Sequence, residues 1–269
     1  MLRSVVFTIT LLTGLLGVLP ATAADVKPDV TALAQTPYSA LYVGNSFFYY
    51  NNSLHAHVRE FVLRAEPKNE FRSVSATISA SGLNWHDVAA YFRPDAVGSY
   101  SFDAQNKVIF TPKGKKPFDV AIMMDCSQCP VHPDLKALFV EYAEKHAATV
   151  RANGAEPVLF MSWAYQNVPE MTGELADAYT AMGNKLKALV IPAGLAFAKA
   201  QGQFPEIGLY QKDKRHPTLA GTYLAAATTY AALFGKTPEG NRYTADLPDE
   251  VATKLQSAAW AAVQEYFKK

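Results

Sequence analysis

Cysteine is scarce in this chain: two residues in 269, too few for a disulfide-built scaffold. Charge of one sign is also missing. The formal net charge of +1 removes any electrostatic reason to expect nucleic acid or an anionic membrane as partner. After the first two dozen residues no apolar run approaches the roughly 20 residues that a bilayer crossing needs. No stable membrane insertion of the mature chain is therefore expected. The sequence also has no internal repeat, low-complexity tract or interdomain linker. Its one local basic run, Lys113-Gly114-Lys115-Lys116, reads as a solvated turn.

The N-terminus differs in kind. Met1-Leu2-Arg3 carries a positive charge, residues 5–19 are apolar and uncharged, and Pro20-Ala21-Thr22-Ala23-Ala24 supplies small residues. That is the pattern of an export signal cleaved after Ala23 or Ala24. An uncleaved anchor is the alternative, but the apolar stretch is short for a span. No cysteine stands at the cleavage site for lipid attachment. We therefore expect a signal peptide at residues 1–23, one domain over 24–269, and a periplasmic or secreted protein. Hydrophobic residues at 49% and charged residues at 18% give an ordinary globular balance, with chain enough for one large core.

Hydropathy periodicity predicts the elements. Short buried strands are expected at 39–43, ending at Gly44, and at 118–124, 157–163 and 189–192. Residues 72–79 alternate as a strand, and 100–102 with 108–110 read as a small inserted hairpin. Helices are expected at 54–65, 85–92, 134–153, 174–188, 195–201 and 249–267. One more, at 217–234, would carry Pro217 in its first turn. Strands alternating with helices imply a parallel sheet covered on both faces.

In such a sheet, ligands bind outside the carboxyl ends of the strands. Gly44-Asn45-Ser46 directly follows the first predicted strand, where glycine permits a tight turn and the serine hydroxyl reaches the rim. Serine in that place is commonly only a helix cap. Far along the chain, Asp213-Lys214-Arg215-His216-Pro217 precedes a helix. The D-x-x-H spacing puts a carboxylate and an imidazole on one turn, so one ring nitrogen can be held by the acid while the other faces a serine. Alone, Asp213 reads as a helix cap and His216 as a loop residue. Together the two features supply a nucleophile, its base and the group that orients the base.

In that order the motifs resemble those of the SGNH/GDSL hydrolases. Leu41-Tyr42-Val43-Gly44-Asn45-Ser46 is similar to the family's first block, with Asn45 in place of the usual Asp. Ser81-Gly82-Leu83 is similar to the second block, and His216-Pro217-Thr218-Leu219-Ala220-Gly221 to the last. The third block departs: where relatives carry G-x-N-D, this chain has Asp125-Cys126-Ser127-Gln128-Cys129-Pro130. The resemblance runs from Leu41 to about Phe234. It implies a three-layer α/β/α sandwich around a central parallel sheet, the flavodoxin-like arrangement of that family. It implies a triad of Ser46, Asp213 and His216, and an oxyanion hole from the N–H groups of Ser46 and Gly82 with Gln128 or Ser127 as third donor. It implies ester hydrolysis without metal or organic cofactor. Export makes small-molecule or glycan esters the expected substrates, by family analogy.

Two readings of other classes stand beside it. Cys126-x-x-Cys129 after a buried strand is also how a thiol–disulfide redox motif looks, although Pro130 to Pro133 separates it from the helix that would lower a thiol pKa. The chain could also be an inactive binding protein on the same scaffold. A disulfide between Cys126 and Cys129 is expected in an exported protein. Zinc on Cys126, Cys129 and His132 is not, because a fourth ligand is not evident. His55, His57 and His86 have no partner at a metal-binding spacing, and Trp85 and Trp163 read as core residues.

Overall fold

The computed structural model describes residues 26–93, 96–97, 100–110 and 116–268. The expected export signal and residues 113–115 of the basic run lie outside them. Five strands form one parallel sheet: β1 Ser39–Gly44, β2 Arg72–Thr77, β5 Val120–Met123, β6 Glu156–Phe160 and β7 Leu189–Ile191, in the order β2-β1-β5-β6-β7. Between β2 and β5 in sequence, β3 Tyr100–Phe102 and β4 Val108–Phe110 pair as the expected antiparallel hairpin.

Side chains on a strand alternate between faces, and here both faces are covered. Ala40 and Tyr42 of β1, with Val120, Ile122, Val158 and Phe160, belong to one core. Over it lie α2 Leu54–Ala65, α6 Ala193–Gln203, α7 Leu219–Phe234 and α8 Asp249–Tyr266. Leu41 and Val43, with Ala121, Met123 and Leu159, face a second core under α4 Lys136–Ala152 and α5 Met171–Leu186. This is the expected three-layer α/β/α sandwich. Helix α7 carries no charged residue and is buried nearly all round, as a helix apolar on every side must be. It fills the space between the sheet and α8.

Two sequence expectations are corrected. Residues 85–92 are not one helix. A 3-10 turn at Leu83–Trp85 is followed by a separate short helix, α3 Val88–Tyr91. The break has a local cause: the Asp87 carboxylate accepts from Ala90 N at 3.0 Å and starts a new helix, while buried His86 is held by Ser81 and Tyr91. Pro217 likewise stays outside α7. Thr218 is the N-cap, its hydroxyl accepting from Gly221 N, because Pro217 is bridged to Tyr210 across a loop.

Strand β1 lies between β2 and β5, so the chain segments leaving these three strands emerge side by side at one edge. Those segments contain Asn45-Ser46, Ser81-Gly82 and Asp125 to Gln128.

Buried histidines give the fold a pH signature. His57, His86 and His146 are each no more than 5% exposed, and half-buried His55 lies beside His57. Burial holds all four below the ordinary histidine value, His86 at about 4. The unfolded chain therefore binds protons near pH 6.5 that the folded chain refuses, and stability present above that pH is lost as pH falls toward about 4. His86 alone accounts for a loss on the order of 2 kcal/mol by pH 4.5. Urea midpoints measured at pH 7.5, 6 and 4.5 should decrease in that order. Equal midpoints across the series would contradict it.

Candidate active site

The turn after β1 is fixed by sterics and by one amide. A Cβ on Gly44 would lie 2.8 Å from the Phe48 ring, so no side chain fits there. Asn45, 4% exposed, caps the short helix α1 Ser46–Tyr49, its Oδ1 accepting from Phe47 N at 3.2 Å. Its Nδ2 donates to Ser81 O at 2.9 Å and to Asp125 O at 3.2 Å. One side chain thus joins the segments leaving β1, β2 and β5. Ser46, 8% exposed, stands at their rim.

Asp213 and His216 arrive on a loop that is tied down throughout. Gln211 N donates to His216 O at 2.8 Å, and Thr218 N to Leu209 O at 2.9 Å. From neighbouring loops, Gln166 N donates to Lys214 O, and the Trp163 indole N–H to Arg215 O, each at 2.9 Å. Asp213 Oδ1 accepts from the N–H groups of Arg215 and His216 at 3.0 Å each. The other carboxylate oxygen meets His216 Nδ1, and His216 Nε2 stands 2.8 Å from Ser46 Oγ. The residues read from sequence as a triad, 170 positions apart at the extremes, therefore meet in one chain of contacts.

Only one tautomer satisfies both contacts. The imidazole Nδ1–H donates to Asp213, leaving Nε2 to accept from the Ser46 hydroxyl. Partial burial works to raise the Asp213 carboxyl, but hydrogen bonds from the His216 ring and from the Arg215 and His216 N–H groups outweigh it and hold the group at about 2. Two aromatic rings fix the imidazole plane. Tyr50 stacks on it at 4.5 Å and 12°, and Phe47 meets it edge-on at 5.5 Å.

The loop after β2 contributes Gly82. A Cβ there would stand 2.7 Å from an Asp125 carboxylate oxygen and 2.8 Å from Asn84 Oδ1, so only glycine fits. Among the described residues, the backbone N–H groups of Ser46 and Gly82 have no hydrogen-bond partner. Asp125, 2% exposed, accepts from Leu83 N and Cys126 N at 2.8 Å each. Burial raises its carboxyl above the ordinary value against the pull of those two bonds.

In the third block, Ser127 Oγ lies 2.7 Å from the Tyr165 hydroxyl, and the Arg215 guanidinium sits over the Tyr165 ring at 5.4 Å. No hydrogen bond holds the Gln128 side chain among the described residues. Cys126 and Cys129 lie at disulfide distance, 2.11 Å between sulfurs, and Cys129 N donates to Cys126 Sγ. The Asp125 carboxylate and the two sulfurs lie within 4.8 Å of one another, and the His132 ring accepts from Asp134 N. Helix α4 starts only at Lys136, so the disulfide does not cap it.

Several residues of the site are not apparent from the sequence motifs. Asn45 and Asp125 do leave a signal, a polar residue abutting an apolar strand on the side where ligands bind. Tyr50 and Tyr165 leave none, because nothing in an aromatic residue's local sequence says which distant ring or hydroxyl it will meet. Trp85, expected in the core, is 59% exposed on the loop after Gly82. The 3-10 turn there replaces the helix that would have buried it. Trp163 is fully buried as expected, stacked between Phe47 and Phe197.

No family model matches the chain, and no curated protein is similar to it in sequence. Solved structures are similar in fold. A DUF4886 family protein from Bacteroides uniformis superposes with a TM-score of 0.58 at 17% identity, over 86% of this chain and 96% of the other. A protein provisionally named a GDSL-like lipase, from Parabacteroides merdae, gives 0.53 at 12% identity over 80% and 100%. The acetyl xylan esterase AlAXEase gives 0.50 at 12% identity over 72% and 98%. Sheet order, the layers on each face and these superpositions agree: the chain has the fold of the SGNH/GDSL hydrolases.

Proposed function

We propose that the chain is an exported serine esterase that works through an acyl-enzyme on Ser46. The observation that carries this reading is the continuous contact from Asp213 through His216 to Ser46, beside two N–H groups without partners among the described residues. Ser46 Oγ attacks the ester carbonyl as His216 Nε2 takes its proton, and Asp213 stabilises the imidazolium that forms. The carbonyl oxygen, now an oxyanion, accepts from Ser46 N, Gly82 N and a third donor, Ser127 or Gln128. His216 then protonates the departing alcohol. Water attacks the acyl group by the same route and frees Ser46. No step calls on a metal or organic cofactor.

The proposed substrates are small-molecule or glycan esters. Support comes from the export pattern at residues 1–23 and by analogy from the acetyl xylan esterase of similar fold. The redox alternative loses support, because the cysteine pair stands apart from any helix N-terminus.

Ser46→Ala and His216→Ala should each lower kcat/KM on short acyl esters by on the order of 10⁴-fold or more while leaving the circular dichroism and melting curve intact. Asp213→Asn should cost less. A fluorophosphonate probe should label the wild type and not Ser46→Ala. Absence of labelling would favour an inactive binding protein, and more than half the wild-type rate in Ser46→Ala would exclude the mechanism. Because Asp213 stays charged down to about pH 2, its protonation should not enter the profile at mildly acidic pH, and kcat/KM should rise with pH through no more than one ionisation. Two ionisations on the acid limb would mean that a second group must titrate.

The third block has its own test. Closing so small a loop gives a disulfide only about 2 kcal/mol of chain-entropy stabilisation, whereas the bridge restrains the backbone of Ser127 and Gln128. Mild reduction should therefore lower kcat more than it lowers Tm. Two titratable thiols in the unfolded, unreduced protein would rule out the bridge, and an unchanged kcat after reduction would leave it a purely structural link. Asp125→Ala should lower both kcat and stability, the latter by about 1–3 kcal/mol, since two N–H groups lose their buried acceptor. Asp125→Asn keeps an acceptor oxygen and should recover most of both.

A further inference from the structure

The segment between α1 and α2 has an unusual backbone. Asn51, Asn52 and Ser53 all have positive φ, at 51°, 70° and 70°, three consecutive non-glycine residues in the left-handed region. Each costs free energy there and persists only where its surroundings hold it. Asn51 is held firmly. Its Nδ2 donates to Pro217 O at 2.9 Å and to Thr222 Oγ1 at 2.8 Å. Its carbonyl accepts from His57 Nε2, and His57 Nδ1 in turn accepts from the Tyr243 hydroxyl at 2.6 Å.

This strained turn lines a cavity of about 850 Å³, within the size range of small-molecule sites. Two short stretches of chain join the cavity's wall to the candidate active site. Tyr50, whose ring stacks on His216, immediately precedes its wall residue Asn51, and Leu219, also in the wall, follows His216 by three positions. The remaining walls are polar and cationic. Arg64 and Arg242 stand there beside Asn52, Tyr243 and Thr244, with Asp246 as the one carboxylate. Arg64 is only loosely engaged, 3.7 Å from Glu60. Arg242 is exposed and forms no ion pair among the described residues, Asp246 included. Burial keeps the His57 ring neutral, so the wall's cationic character is that of the two guanidiniums.

A guanidinium fork matches a carboxylate with two parallel hydrogen bonds. Side-chain amides and hydroxyls around it suit a hydroxyl-rich neighbour. We infer that this cavity is a subsite for an anionic, hydroxyl-rich group, a carboxylate-bearing sugar, with Arg242 as its principal contact. As a substrate subsite the inference rests on the esterase reading; as a binding site it does not.

The test separates the two. Ser46→Ala protein, which cannot turn over an ester by the proposed route, is titrated calorimetrically with an unacetylated uronate trisaccharide, with its carboxyl-reduced neutral counterpart, and with inorganic phosphate. The uronate should bind at least about tenfold more tightly than the neutral trisaccharide, and added Arg242→Ala should remove that advantage. Arg242→Lys should restore part of it, since charge returns without the fork. Equal binding of charged and neutral trisaccharides overturns the inference, as does a uronate preference that survives Arg242→Ala. Phosphate binding as tightly as the uronate would reduce the site to a bare anion pocket and equally overturn it. Uronate binding to a wild-type protein that no fluorophosphonate labels would instead keep the subsite and defeat the esterase.

Discussion

A buried side-chain amide has two donors and one acceptor, and Asn45 uses them to hold together three pieces of chain that the sheet alone does not connect. Parallel strands end at the same edge, but the segments leaving them are free to diverge. Here the Asn45 amide donates to the segments after β2 and β5 while its oxygen starts the helix that carries Ser46. Leaving a buried amide unpaired would cost about 1–3 kcal/mol per group, so the three segments are locked as one unit. Asp125 continues the lock from the other side by accepting from Leu83 and Cys126. The free N–H groups of Ser46 and Gly82 are a consequence. Asn45 and Asp125 fix the surrounding backbone, and those two donors have no partner among the described residues.

The opposite half of the site is anchored differently, through aromatic packing. Phe47, next to Ser46, stacks on Trp163, and Trp163 stacks on Phe197, with interplanar angles of 1° and 6°. The buried indole reaches out of this stack to hold Arg215 O, one residue before His216. The position of His216 is thereby tied to the same core that positions Ser46. Tyr165 adds a second link, from the Arg215 guanidinium to the Ser127 hydroxyl. In the proposed mechanism this placement is critical, because an acid–base pair displaced by about 1 Å can lose on the order of a hundredfold in rate.

Most polar groups in these walls are satisfied by one another, and besides the Gln128 side chain two kinds of exception stand out among the described residues. The first is the pair of backbone donors beside Ser46. The second is the wall around Arg242, where a cation stands beside a turn held in three left-handed residues. The first stands at the edge where β1, β2 and β5 deliver their chains, and the second runs from Asn51 down α2 to Arg64 and Pro67. The fully covered sandwich behind them is what allows the rim to depart from ideal geometry without unfolding.

Much of this architecture is legible in the amino-acid sequence. Alternation of buried strands with long helices determines the parallel, doubly covered sheet, because hydrophobic periodicity is a local property of the chain. Gly44-Asn45-Ser46 and Asp213-x-x-His216 carry their chemistry in short motifs, and their pairing follows from where parallel strands place loops. Where periodicity misleads, a local competition that it does not register is the cause. Asp87 caps a new helix and leaves Trp85 in solvent, and Thr218 displaces Pro217 from the start of α7. The tertiary structure alone decides the rest: the role of Asn45 as a joint between segments, the Asp125 contacts, the rings of Tyr50 and Phe47 around His216, and the cavity beside Asn51 and Arg242. Those depend on contacts between residues far apart in sequence, such as Asn51 with Thr222. A sequence specifies such partners only through the packing of the whole chain, and no local pattern marks them.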